Sequence, residues 1–99
     1  MKKLFIAAFM FVSSFGANVM ADGHAIKMGI ILGFTGPIES LTPAMAGSAE
    51  LAFKEASDSG SLLGGKKIEV IRADSTCVDS AAATAAAEGV ISQGVAAIM

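Results

Sequence analysis

The apolar positions of this chain alternate between two rhythms. Ala25–Gly33 (AIKMGIILG) ends in a continuous apolar run, as expected of a strand covered on both faces. Phe34–Thr42 follows as a loop marked by Gly36-Pro37. Thr42-Pro43 then reads as a helix start, with Thr as N-cap and Pro at the first helical position, or the start lies a few residues earlier near Glu39. Met45, Ala49, Ala52, Phe53 and Ala56 recur at helical spacing and predict one apolar face, with Glu50 and Lys54 four apart on the other. Ser57–Gly60 ends the helix and Gly64-Gly65 makes a turn. Lys67–Asp74 is a second strand, Ser75–Val78 a loop, and Asp79 the N-cap of a second helix reaching about Gln93. The stripe of that helix is Ala83, Ala86, Ala87, Val90 and Ile91, and Gly89 within it costs about 1 kcal/mol against alanine. Gly94 caps it, and Val95–Met99 begins a third buried strand.

Strand, helix, strand, helix, strand predicts an α/β fold with an open, Rossmann-like parallel sheet. In such sheets, ligands bind beyond the carboxyl ends of the strands where the strand order reverses. If the order is 2-1-3, that place lies between the first and third strands, and the loop Phe34–Thr42 forms one wall. Three parallel strands with two helices leave both edges open and each face half covered. The expectation is therefore that residues 22–99 are the amino-terminal fragment of a longer protein. The alternative is a complete small domain stabilised by oligomerisation.

The first twenty-one residues change the picture of compartment. Lys2 and Lys3 precede an apolar stretch from Leu4 to Phe15, and Val19-Met20-Ala21 offers a cleavage site before Asp22. The apolar stretch falls short of the ~20 residues a membrane span needs. We therefore expect an export signal over residues 1–21. Cleavage leaves five Lys/Arg against nine Asp/Glu, a formal charge of −4. The chain is 54% hydrophobic and 16% charged, which excludes a disordered tail, and it has no basic cluster to meet nucleic-acid phosphates.

Candidate chemistry is sparse. Gly29, Gly33 and Gly36 have the wrong spacing for a dinucleotide loop, and Gly64-Gly65-Lys66-Lys67 precedes a strand rather than a helix. Asp74 and Asp79 form a conceivable carboxylate pair, but Asp79 is better used as a helix cap and nothing orients the two. No cofactor is expected. Cys77 is a single cysteine in an exported chain, which favours a disulfide partner beyond Met99, with a free or buried thiol as the alternative. If cleavage follows Ala21, the new terminus reads Asp22-Gly23-His24, whose amine, amides and imidazole can wrap Cu(II) or Ni(II); a plain terminal tail is the competing reading.

Taken together, Lys27–Pro37 (KMGIILGFTGP), Ala46–Phe53 (AGSAELAF), Gly64–Asp74 (GGKKIEVIRAD) and Cys77 with Asp79 before an alanine-rich helix resemble the opening of a type I periplasmic binding protein. The branch they resemble is the leucine/isoleucine/valine-binding group of ABC-transporter receptors. The resemblance implies two α/β lobes closing on a small solute, delivery to a membrane permease, a periplasmic location and no catalysis. It implies that Cys77 pairs with a cysteine in the loop after the third strand. It also brings the loop after the first strand to the ligand, here at Glu39, Ser40 and Leu41. Leu41 stands where some relatives carry tyrosine, which leaves room for amides or aromatic acids beside branched-chain amino acids. The alternatives by function are a Rossmann-type nucleotide-dependent oxidoreductase and the ligand-sensing domain of a signalling receptor.

Overall fold

A computed structural model describes residues 25–99. The expected export signal and His24 lie outside the described residues. The elements run β1 (Ile26–Leu32), α1 (Thr42–Asp58), a 3-10 turn (Leu62–Gly64), β2 (Ile68–Asp74), α2 (Ser80–Ser92) and β3 (Ala97–Ile98). The order of the three-stranded sheet is β2-β1-β3. Both pairings are parallel, with Ile30 opposite Arg72 and Gly29 opposite Ile98. Beyond the short β3 the ladder continues, as Met99 donates its amide to the Gly29 carbonyl and Ile31 donates to the Met99 carbonyl.

Alternation along β1 separates the two faces of this sheet. Ile30 is fully buried, and Arg72 beside it reaches Glu50 of α1. Gly29 points the other way, and a Cβ placed there would lie 3.3 Å from Val90 of α2. The helices therefore cover opposite faces. The fully or nearly fully buried apolar side chains are Ile30, Ala46 and Val90, so the described core is thin and centred on β1.

The buried side of α1 differs from the one periodicity predicts. Thr42, Ala46 and Ser57 are buried and Phe53 half-buried, whereas Met45 is 51% exposed. Two polar residues occupy inward positions because each satisfies a backbone group of the sheet. The Thr42 hydroxyl donates to the Gly33 carbonyl at 2.9 Å, just past the end of β1. The Ser57 hydroxyl accepts the Ile68 amide at 2.8 Å, at the start of β2. Thr42 is thus not the N-cap; Leu41 holds that position without a side-chain cap. Nor do Glu50 and Lys54 pair. Glu50 turns across to Arg72, and Lys54 joins Asp58 one helical turn on.

In α2, Asp79 is the N-cap as expected and accepts the Ala81 amide at 2.8 Å. Val90 is buried and Ala82, Ala83, Ala86 and Ala87 are half-buried, but Ile91 is 60% exposed. The stripe is turned toward Val90 because the glycine at position 29 opens a slot for that side chain.

Candidate functional site

The carboxyl ends of β1 and β2 release two loops side by side, residues 33–41 and 75–79. With β1 in the centre and β3 beyond it, the strand order reverses between β1 and β3, and the first loop stands at that point. Pro37 and the residues after it wind into turns that lead into α1, through Glu39 amide to Gly36 carbonyl and Leu41 amide to Ile38 carbonyl bonds. Glu39, Ser40 and Leu41 are all exposed on this rim, Leu41 by 61%.

Asp74, the last residue of β2, joins the two loops. One carboxylate oxygen accepts the Thr76 amide at 2.9 Å and the Thr35 amide at 3.3 Å. The other accepts the Thr35 hydroxyl at 2.5 Å. The Thr35 hydroxyl first, then the Thr76 amide, hold the Asp74 carboxyl below its ordinary value. This residue is therefore committed to the loops rather than paired with Asp79.

The loops also touch through glycine. At Gly33 a Cβ would sit 2.8 Å from the Cys77 Sγ and 3.1 Å from the Thr76 backbone. At Gly36, where φ is 96°, it would sit 3.0 Å from the Thr76 carbonyl oxygen. Thr76 and Cys77 both have positive φ, 57° and 61°, so the second loop is tightly coiled. That coil leaves the Cys77 thiol exposed and free, 3.6 Å from the Ser75 hydroxyl. The Thr76 hydroxyl is buried with no hydrogen-bond partner among the described residues.

A second set of contacts supports the first loop from below. The Arg72 guanidinium lies 5.4 Å from the centre of the Phe34 ring. The same guanidinium makes a two-pronged pair with Glu50, at 2.5 and 2.8 Å. The hydrogen bond from Arg72 lowers the Glu50 carboxyl below its usual value.

The structure thus brings Glu39, Ser40 and Leu41 to the same end of the sheet as Cys77. The pattern of the sequence did not single out Thr35 or the linking role of Asp74. One signal was present: an aspartate at the end of a strand invites an Asx turn, its carboxylate accepting the backbone amide two residues on. Among the described residues no group of three His, Cys, Asp or Glu is placed to hold a metal ion. Among the described residues, too, no helix is long and apolar enough to cross a membrane. A family model described as "Periplasmic binding protein" matches residues 25–99. No curated protein matches the chain.

Proposed function

The chain belongs to the periplasmic binding protein family, and on that premise we propose that it is the solute receptor of an ABC importer for branched-chain amino acids or similar small solutes, amides and aromatic acids included. The family is non-catalytic, so the task of the site is to hold a small molecule and present it to a membrane permease. Residues 22–99 form part of the first lobe of a type I receptor, exported to the periplasm after cleavage behind Ala21. Lobe closure around a hinge then buries the solute.

The observation that carries this reading is the rim at the β1/β3 reversal. There the first loop presents Glu39, Ser40 and Leu41 outward from a parallel sheet. In a closed cleft, Leu41 supplies apolar contact, Ser40 a hydrogen-bonding hydroxyl and Glu39 a charge for a solute amine. Cys77 is exposed on the neighbouring loop, which suits a disulfide to the loop after the third strand.

The test is calorimetry on the protein expressed from its whole reading frame and exported to a periplasm. Titration with leucine, isoleucine, valine, small aliphatic amides and aromatic acids should give saturable heat at one equivalent for at least one of them. A flat response to the whole panel, with no small molecule released from the protein on denaturation, overturns the reading.

A further inference from the structure

We propose that Asp74 is a positioning residue for the solute: through Thr35 and Thr76 it locks the two rim loops into one body, so that Glu39–Leu41 are held in a single receiving geometry. This rests on the receptor reading above. It goes beyond that reading because Asp74 itself need not touch the solute.

The argument starts from what else holds the first loop in place. Thr42 anchors its far end to the Gly33 carbonyl, and Phe34 rests over Arg72. Between these anchors the loop is exposed from Thr35 to Pro37 and again from Glu39 to Leu41. At its α1 end this stretch accepts the Thr42 and Met45 amides at the Ile38 and Leu41 carbonyls; at its β1 end the Thr35 hydroxyl and amide donate to Asp74 on the neighbouring strand. The same carboxylate accepts the Thr76 amide, so one side chain at the end of β2 satisfies donors of both loops.

Steric fit reinforces the link. Gly36 lies against the Thr76 carbonyl and Gly33 against Cys77, with no room for a side chain at either contact. A displacement of one loop therefore drags the other. A preorganised wall loses less freedom when a solute arrives, and affinity rises accordingly.

Amide hydrogen exchange, resolved to the segments 34–41 and 75–79, tests the lock directly on the full-length protein. Asp74→Ala should speed exchange at least ten-fold in both segments while the strands keep wild-type protection. Thr35→Val removes only the hydroxyl and should speed exchange in both segments as well, whereas Thr35→Ser, which retains it, should match wild type. If Asp74→Ala fails to fold, the Thr35 pair still decides. Acceleration confined to segment 34–41 in Thr35→Val, or equal behaviour of the Ser and Val variants, overturns the proposal.

L-leucine is the probe for the consequence. Where the wild-type protein binds it, Thr35→Val should weaken binding about ten-fold and Thr35→Ser should restore it; unchanged affinity in Thr35→Val overturns the positioning role. Absence of leucine binding in wild type counts against leucine as the solute, and the exchange pattern still decides the lock.

Discussion

The two helices hold the same sheet by different means. α1 is attached by polar bonds placed along its length: Thr42 to the Gly33 carbonyl, Glu50 to Arg72, Ser57 to the Ile68 amide. α2 is attached mainly by shape. Its inward residues are small, and Val90 fits over a glycine in the central strand. Hydrogen bonds are directional and fix the register of α1 even though its apolar stripe is weak. Close approach fixes α2, with Lys27 Nζ donating to the Gln93 carbonyl at 3.1 Å only at its C-terminal end, and an added Cβ at Gly29 would force Val90 or Ile98 to shift. One lesson is that an alanine-rich helix can be as specifically placed as one bearing charged and hydroxyl side chains.

The comparison can be broken most forcefully at its shared centre. Ile30 is fully buried on the α1 face. Ile30→Ala should cost about 3 kcal/mol of stability, from lost burial and the cavity left behind, read as a lower urea midpoint. A loss well under 1 kcal/mol would mean that the polar bonds of α1 carry that face instead. Next comes the steric side. Gly29→Ala pushes a methyl to 3.3 Å from both Val90 and Ile98 and should cost about 1–3 kcal/mol. Combining it with Val90→Ala should recover part of that loss, so a double-mutant cycle in urea melts should show non-additivity; strict additivity would deny that Val90 is the contact.

On the polar side, Ser57→Ala leaves the Ile68 amide without its acceptor and should cost about 1–2 kcal/mol in the same melts. The smallest effect belongs to the exposed charges. Glu50 and Asp58 have their carboxyls held below the ordinary carboxylate range by hydrogen bonds from Arg72 and Lys54 respectively. Their stabilisation is therefore present in full above the unfolded values and is lost as pH falls through the depressed folded values. Glu50→Gln should flatten the acid limb of a stability–pH profile slightly and leave stability near pH 7 almost unchanged. A large loss at neutral pH would show that the Arg72 pair is more than a solvent-screened surface contact.

The succession of strands and helices and the N-cap of α2 could be read from sequence because each rests on local chemistry. Continuous apolar runs mark strands, although β3, expected to be buried, is exposed at the sheet edge, and Asp79 is a strong N-cap. The side of α1 was not readable from apolar periodicity. Thr42 and Ser57 lie inward, and a hydrophobic pattern counts such residues as outward unless their partners are known. Ile91 misled in the opposite sense, being apolar and exposed because Val90 alone fits the slot above Gly29. At the rim, exposure of Glu39–Leu41 follows from a Gly-Pro loop, which sequence signals. The Thr35–Asp74 link joins residues 39 positions apart and depends on β1 and β2 being parallel neighbours in one register.

At the end of the sheet away from the rim, the chain passes from α1 to β2 through the turn Leu62–Gly64. Leu63 is 66% exposed there, and Gly65 donates its backbone amide to the Leu62 carbonyl at 2.8 Å. An affinity tag or a fluorophore-bearing peptide spliced into this turn would stand at the opposite end of the sheet from the loops 33–41 and 75–79. It offers a handle for immobilising the protein on a sensor chip with those loops facing the analyte.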